Sequence, residues 1–293
     1  MSSQRPASSS PRGRGRQRPG PRCVIADQGG PDERGHDFYR RVLGALQQAH
    51  VPVLVGGAYA FECYTGIRRR TKDFDLFIHP RDRDRTLAAL QAAGFQAEVA
   101  FPHWLAKARQ GDDFVDIIHS SGNGCAPVDD EWFAHAVDAI VLGVPVRLCP
   151  LEEMIWQKAL IMERERYDGA DVLHLLHAAG EQLDWERLLR RFGAHWRVLL
   201  SYLVLYGFVY PFDRNRIPPA CVLDELLARL QRERASAPPR RRVCQGTVLS
   251  RQQYLPDLEQ WGYRDARAAP AGPLCADDIA RWTAAIADDG MLR

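Results

Sequence analysis

The chain has 293 residues, of which 46% are hydrophobic and 26% are charged, an ordinary globular composition that suits one large domain or two medium ones. The net charge of +2 by itself neither indicates nor excludes a nucleic-acid partner. The seven cysteines are scattered and no two form a C-x-x-C pair, so the sequence predicts reduced thiols in a cytoplasmic protein, with neither a zinc signature nor a disulfide framework.

Residues 1–35 are rich in Ser, Pro, Gly and Arg, and they lack the apolar side chains that would offset the entropy of ordering. We therefore expect a disordered basic tail. Arginines precede the first acidic residue, Asp27, so a weak contact with RNA or DNA is one interpretation of this segment. A solvated tail or a misassigned start site is the other.

Helices and strands alternate in residues 36–149, where apolar residues recur either at helical spacing or in short β-branched and alternating runs. In chain order, these patterns predict a helix over 37–50, a strand over 51–55, a helix over 58–64, a strand over 73–78, a helix over 85–93, strands over 95–99, 104–109 and 114–119, and a hairpin over 140–148.

After Pro150 the pattern becomes helical. Helices are expected over 151–165, 168–179, 184–192, 195–208 and 220–234, which gives a helical domain over 150–235 and a partly irregular extension over 236–293. The longest apolar stretch, Val198 to Phe212, has about 15 residues and falls short of the roughly 20 that a membrane helix needs. We interpret it as a buried helix and expect no membrane association.

Three features occur in order along the first domain. A strand ends in Gly56-Gly57 and leads into a helix, Asp73-Phe74-Asp75 follows on a strand, and Asp116 interrupts a later apolar run. Side chains at i and i+2 of a strand point to one face, so Asp73 and Asp75 can hold the same ions. Asp116 fits a third ligand because a lone carboxylate in an apolar strand is costly without compensation.

These residue types suit phosphoryl transfer. Magnesium prefers hard oxygen ligands, and carboxylates around two ions can stabilise the attacking and leaving oxygens of an in-line displacement. The glycines allow backbone N–H groups to approach phosphate oxygens at a helix N-terminus. Asp112 and Asp113 compete with Asp116 for the third position, although they lie at an expected turn.

The stretches Val55–Ala60 and Gly66–Leu76 resemble the signature of the DNA polymerase β-type nucleotidyltransferase superfamily. The branch in which Gly-Gly replaces Gly-Ser resembles AbiEii-type toxin nucleotidyltransferases and the lincosamide and aminoglycoside nucleotidyltransferases. The resemblance implies an α+β fold, with a small mixed sheet and flanking helices over 36–149 followed by the C-terminal helical domain.

By the same resemblance, Asp73, Asp75 and Asp116 are the catalytic carboxylates and the ligands of Mg²⁺ or Mn²⁺, and Gly56 and Gly57 contact the NTP. The usual Ser after the first Gly is missing, which removes one hydroxyl contact to phosphate but leaves the backbone contacts. The implied reaction moves a nucleoside monophosphate from an NTP to a hydroxyl acceptor and releases pyrophosphate.

Two cations extend the expected NTP site. Arg69 lies four residues before Asp73, where its charge can neutralise a triphosphate, or it belongs to a solvated basic loop. Lys158 lies on the apolar side of a predicted helix and is expected to contact the nucleotide, whereas Asp171 is expected to hold a salt bridge between helices. His174 and His177 are spaced for metal binding but are expected to pack.

The acceptor stays open at this stage: tRNA, a protein and a small molecule all fit, and the basic tail mildly favours a polyanion. An alternative function is a non-catalytic regulator that binds nucleotides or nucleic acid on the same fold. Retention of all three carboxylates argues against it.

Overall fold

The structure is a computed structural model, and it describes residues 23–25, 33–69, 71 and 73–289. One mixed sheet forms the centre of the first half of the chain. Its strands are β1 (Cys23–Ile25), β2 (Leu54–Val55), β3 (Asp75–Phe77), β4 (Gln96–Phe101), β5 (Leu105–Gln110), β6 (Asp113–Ile118), β7 (Val137–Val141) and β8 (Val144–Leu148). They lie in the order β1-β7-β8-β2-β3-β6-β5-β4, so β2, β3 and β6 are central.

Helices flank this sheet and dominate the rest of the chain. They are α1 (Glu33–Gln48), α2 (Gly57–Thr65), α3 (Arg83–Ala92), α4 (Asp130–Ala134), α5 (Leu151–Ala159), α6 (Gly169–Ala179), α7 (Trp185–Phe192), α8 (Trp196–Val209), α9 (Ala220–Ala235), α10 (Leu255–Glu259) and α11 (Ala276–Asp289). Two short strands, β9 (Val243–Cys244) and β10 (Arg264–Asp265), pair with each other near the C-terminus. The α+β architecture expected from the sequence is confirmed.

The alternating pattern around Asp75 and Asp116 explains the central strands. Phe74 and Val115 are fully buried on one face, whereas the two carboxylates lie on the other. A side-chain period of two fixes the register wherever one face is buried, because a slip of one residue would place the carboxylates in the core. The apolar pattern therefore sets the position of the acidic residues.

The N-terminal segment departs from the expectation of disorder over 1–35. Residues 23–25 form β1, which pairs in parallel with β7, and α1 begins at Glu33. The prediction is therefore wrong for these residues, and residues 1–22 and 26–32 lie outside the described part of the chain. A three-residue strand is too short for composition or periodicity to reveal it.

Cys23 and Cys63 are joined in a disulfide, which corrects the expectation that all cysteines are reduced. The bond links β1 at the sheet edge to α2. The Cα atoms lie 5.4 Å apart, although the two residues are separated by 40 positions in sequence. Sequence spacing carries no information on such proximity, and the remaining cysteines in the described residues are free thiols.

The predicted helix over 151–165 is shorter in the structure, where α5 ends at Ala159. A tight turn follows, in which the Glu163 N–H donates to the Arg166 carbonyl at 2.8 Å and Met162 bridges to Tyr167. The turn is fixed from outside, because the Met162 N–H donates to the carbonyl of Leu249 at 3.0 Å. A contact across almost 90 residues thus overrides the helical propensity of the segment.

The helical run Trp185–Val209 is long and apolar enough to cross a membrane, but a buried core helix can have the same length and composition. The run consists of α7 and α8 and is interrupted at Gly193, which has a φ of +46°. Arg187 is buried in ion pairs with the carboxylates of Glu152 and Glu153 on α5. Such a buried charge needs these partners, which is the arrangement of a protein core.

The sequence prediction of a buried helix over Val198–Phe212 holds for one face of α8. Leu199 and Tyr206 are fully buried in the helical core. On the other face, Val204 is 62% exposed and Phe208 81% exposed. The apolar run therefore mixes core positions with exposed ones.

Candidate active site

Asp75 and Asp116 are direct neighbours across two parallel strands. Asp75 begins β3, Asp116 lies within β6, and the two residues are register partners in the ladder. Register partners carry their side chains on the same face of a sheet, so both carboxylates project to one side. The arrangement expected from the sequence, with Asp116 on the face of Asp75, is present.

Asp73 precedes β3 by two residues and is exposed. Its backbone is held by Thr71, whose hydroxyl accepts from the Asp73 N–H at 3.0 Å. The negative charge of Asp73 raises the pKa of both Asp75 and Asp116, so it lies close enough to act on both. Asp73 therefore lies near the Asp75–Asp116 pair, and only Asp75 and Asp116 are register partners.

The pKa of Asp75 is raised to about 6, first because burial disfavours the charged carboxylate and then because Asp116 and Asp73 repel it. The pKa of Asp116 is also raised, again mainly by burial, while Lys107 opposes the shift. Lys107 lies on β5 opposite Asp116, and its Nζ is 2.9 Å from Asp116 Oδ1. Asp75 and Asp116 therefore place two half-buried carboxylates side by side, with the exposed Asp73 nearby.

The chemistry of this donor set suits a hard divalent cation, because carboxylate oxygens are the ligands that Mg²⁺ prefers. As the side chains stand, no group of three or more His, Cys, Asp or Glu residues within the described ranges is arranged as a ready metal site. The mutual repulsion of Asp75, Asp116 and Asp73 is nevertheless of the kind that a cation relieves. The residues present therefore fit such an ion chemically.

Gly56 and Gly57 lie directly against the carboxylates. Gly57 begins α2 with a φ of +53°, a conformation that favours glycine, and a Cβ there would lie 1.7 Å from Asp75 Oδ2. The Gly56 N–H donates to the Asp75 carbonyl at 3.0 Å, and the Gly56 carbonyl accepts from Ala60 N–H. The N-terminus of a nine-residue helix thus meets the acidic edge with no side chain between them.

Lys158 and Arg166 supply positive charge next to Asp75, since both lower its pKa against the larger effect of burial. Lys158 Nζ donates to Asp171 at 2.8 Å and to Asp168 at 3.0 Å. Arg166 binds Asp168 through two hydrogen bonds of 3.0 Å each. The sequence pattern did not indicate Arg166, because it predicted a helix over 151–165. In the structure α5 ends at Ala159, and the turn that follows places Arg166 at the cavity.

Arg69 has a different environment from that expected of a phosphate contact. Its guanidinium pairs with the carboxylate of Asp171 and lies over the Phe61 ring at 4.6 Å. Asp171 thus joins the loop after α2 to α6 and also contacts Lys158. The salt bridge between elements that the sequence indicated for Asp171 is present.

Among the described residues, one cavity adjoins Asp75, Asp116 and both cations. Its lining includes Gly57, Asp75, Asp116, Lys158 and Arg166. The lining also includes residues that sequence patterns did not indicate for the site: Trp104, Ser120, Ser121, Asn123, Glu163, Thr247, Val248, Leu249, Ser250, Arg251 and Trp282.

The competing acidic residues are placed less favourably. Asp112 lies in the exposed turn between β5 and β6. Asp113 begins β6 three residues before Asp116, an odd spacing that directs it to the opposite face. The two histidines of α6 pack: His177 stacks on Tyr210 with ring centroids 4.2 Å apart, and His174 meets the Phe61 ring edge-on.

Comparison with known proteins gives one family match. The family described as uncharacterised nucleotidyltransferase matches residues 35–206, which is more than half of the chain. This range includes all three acidic residues, both glycines, Lys158 and Arg166. No protein with a curated description matches the chain.

Several solved structures are similar at low identity. The antibiotic-resistance factor ANT(2'')-Ia is 19% identical, with 58% of this chain and 97% of that chain covered and a TM-score of 0.42. The lincosamide antibiotic adenylyltransferase LnuA is 15% identical, with 48% and 94% covered and a TM-score of 0.34. JHP933 from Helicobacter pylori is 14% identical, with 71% and 99% covered and a TM-score of 0.37.

Proposed function

The chain belongs to the family of uncharacterised nucleotidyltransferases, and we propose that this transferase moves a nucleoside monophosphate from an NTP to a hydroxyl acceptor with the help of Mg²⁺ or Mn²⁺. The observation that carries the proposal is the register pair of Asp75 and Asp116 beside the N-terminus of α2, in a cavity that also contains Lys158. Acidic ligands and phosphate-binding groups are thereby combined in one site.

The proposed reaction is an in-line displacement at the α-phosphorus of the NTP. The acceptor hydroxyl oxygen forms the new P–O bond, the bond to the bridging oxygen of the β-phosphate breaks, and pyrophosphate leaves with that electron pair. The hydroxyl proton passes to Asp116, which is the register partner of Asp75 and lines the same cavity. Catalysis otherwise rests on positioning and on neutralising charge.

Asp73, Asp75 and Asp116 are the proposed metal ligands. When bound, the divalent ion would supply neutralisation of the negative charge on the phosphate oxygens. The burial of Asp75 supports this role, because its carboxylate is costly to ionise until a cation compensates it. Asp75, held by β3, and Asp116, held by β6, keep fixed positions from which to orient the reacting groups.

The proposed phosphate contacts are Gly56, Gly57, Lys158 and Arg166. The two glycines expose the N-terminal backbone of α2, where the helix dipole favours negative charge. Lys158 and Arg166 line the same cavity and add two positive charges. For Arg69 the proposed role is indirect: its ion pair with Asp171 fixes the carboxylate that also contacts Lys158.

The test is to incubate the protein with Mg²⁺ and each radiolabelled NTP in a cell extract and to measure transfer of label and pyrophosphate release. Asp73→Ala and Asp116→Asn should each abolish labelling. Asp112→Asn is the matched control, since this neighbouring carboxylate lies in the exposed turn, and it should retain labelling. Labelling that survives in the Asp116 variant would refute the site assignment.

The same experiment addresses the alternative of a non-catalytic binding module on this fold. That alternative predicts thermal stabilisation by Mg²⁺ and NTP without pyrophosphate release in any acceptor pool. A nucleic-acid-binding protein whose acidic residues are only structural predicts no magnesium-dependent nucleotide binding at all.

A further inference from the structure

One side of the active-site cavity is built from the C-terminal part of the chain, beyond the range matched by the family. The family match ends at residue 206, whereas residues 247–251 and Trp282 of α11 line the same cavity as the carboxylates. We refer to these residues as the C-terminal wall. A wall that lies outside the family match is a property of this chain, and it is the part of the site that the proposed transfer chemistry leaves unexplained.

The C-terminal wall is fastened to the catalytic half by specific contacts. Asn123 donates to the Val248 carbonyl at 2.7 Å, and the Met162 N–H donates to the Leu249 carbonyl at 3.0 Å. The Arg251 guanidinium lies 2.9 Å from Glu163 Oε1. The wall is therefore joined both to the loop after β6 and to the turn that carries Arg166.

Trp282 anchors α11 against the strands. Its ring lies edge-on to Trp104 at 4.9 Å and to Phe101 at 5.2 Å, and the Arg251 guanidinium covers it at 4.2 Å. Gly122 permits this approach, since a Cβ there would lie 2.4 Å from the Trp282 ring. The aromatic side of the cavity is thus a packed surface rather than a loose loop.

The lining of this side has a defined chemistry. Trp104 and Trp282 offer ring surface, and Ile118, Val248 and Leu249 add aliphatic surface. This part of the lining therefore suits a flat apolar group.

Charge on this side is balanced. Glu163 is the carboxylate at the wall, and Arg251 pairs with it. Near the phosphate contacts, Lys158 and Arg166 are already paired with Asp168. The C-terminal wall with Glu163 therefore offers neither the excess of cations that a polyanion such as RNA requires nor the excess of carboxylates that a polycation requires. The excess carboxylates, Asp75 and Asp116, are the proposed metal ligands.

Asp116 and Trp104 are close enough for one small molecule to contact both. Lys107 lies opposite Asp116 in the sheet, and Trp104 is three residues before Lys107 in the chain. Three residues span at most about 10 Å of extended chain. A molecule of about two linked rings can therefore extend from Asp116 to Trp104.

We propose that the C-terminal wall and Trp104 form the acceptor subsite, and that the acceptor is an uncharged small molecule with a flat apolar ring and hydroxyl groups. This inference rests on the proposed nucleotidyl transfer. Trp104 and Trp282 hold the ring, and the attacking hydroxyl lies at the carboxylate end. The C-terminal wall is then the element that determines acceptor specificity.

The test compares four acceptor probes with the wild-type protein, Mg²⁺ and the NTP that binds best. Phenyl β-D-glucoside represents the proposed class, neomycin a polycation, total tRNA a polyanion and casein a protein. We expect phenyl β-D-glucoside alone to raise pyrophosphate release above the acceptor-free rate. Faster release with neomycin, tRNA or casein than with the glucoside overturns the proposal, as does binding of NTP with no acceleration by the glucoside.

Variants of the wall separate acceptor binding from nucleotide binding. Trp282→Ala should raise the KM for the glucoside at least tenfold while the KM for the NTP changes by less than twofold. Trp282→Phe retains a ring and should change the acceptor KM much less, which guards against a loss of folding in the alanine variant. Trp261→Ala is the matched control, because Trp261 lies in the same C-terminal segment, is 60% exposed and does not line the cavity.

The outcomes distinguish this inference from the proposed function. A Trp282→Ala variant that alters the KM for the NTP and leaves the acceptor KM unchanged overturns the acceptor subsite but leaves nucleotidyl transfer intact. Absence of any stabilisation of the wild-type protein by Mg²⁺ and an NTP instead contradicts the proposed function itself.

Discussion

Replacing Gly57 by alanine should separate the cost of an unusual backbone conformation from the cost of disturbing Asp75, a proposed catalytic carboxylate. Gly57 has a φ of +53°, where a side chain costs about 1–2 kcal/mol. In addition, the new Cβ would lie 1.7 Å from Asp75 Oδ2. Since an unstrained C···O contact is about 3.3 Å, the carboxylate must move by about 1.5 Å.

A displacement of this size should affect activity far more than stability. Misplacing a reacting group by about 1 Å can lower the rate about 100-fold. We therefore expect Gly57→Ala to lower kcat by at least about 100-fold, while the free energy of unfolding falls by only about 1–2 kcal/mol from the backbone. Pyrophosphate release and urea unfolding measure the two effects.

Gly66 provides the matched control at the other end of α2. Its φ is +73°, and a Cβ there meets no atom of the described residues within 4 Å. Gly66→Ala should therefore lose a similar amount of stability without losing activity. Equal activity in the two variants would refute the argument, because it would mean that Asp75 need not hold its position.

Three other changes test separate parts of the fold. Burial lowers the pKa of His119 to about 4, so the folded state favours its neutral form. The contribution of His119 to stability is therefore fully present above the unfolded pKa of 6.5 and is lost as the pH falls toward 4. Urea unfolding at several pH values should show a loss of up to about 3 kcal/mol over this range, and His119→Asn should flatten that dependence. Arg187→Met should lower the free energy of unfolding by about 3–5 kcal/mol, since two buried glutamates lose their counter-charge; a stable variant at neutral pH would contradict the buried ion cluster. Reducing the Cys23–Cys63 disulfide, or replacing Cys63 by serine, should lower the free energy of unfolding by up to about 4 kcal/mol, because the bond closes a loop of 40 residues in the unfolded chain. A melting temperature that dithiothreitol leaves unchanged would argue against the bond.

The carboxylates could be located from sequence because their arrangement depends on local rules. Alternation along a strand fixes the face of Asp75 and Asp116 once Phe74 and Val115 are assigned to the core. The glycine pair at the start of α2 likewise predicts a turn into a helix N-terminus. What sequence could not supply was the pairing of β3 with β6, which the structure provides.

The missed residues depend on contacts between distant parts of the chain. Arg166 reaches the cavity because α5 stops at Ala159, and that stop is held by the carbonyl of Leu249. Trp282 lines the cavity because Gly122 leaves room for its ring. No periodicity in either segment reports such a partner, so the acceptor side of the site had no sequence signal.

The position of Lys158 conflicts with the local apolar pattern, and its ion-pair partners explain why a lysine is stable there. On the apolar side of α5 a lysine is out of place, and burying its charge alone would be costly. Asp168 and Asp171 from the start of α6 meet its ammonium at 3.0 and 2.8 Å, and the side chain is only 12% exposed. Because these two carboxylates hold the lysine in one position before any substrate arrives, less side-chain entropy is lost when a phosphate binds. The same ion pairs that make the buried lysine tolerable therefore also prepare it for the contact with phosphate that we propose.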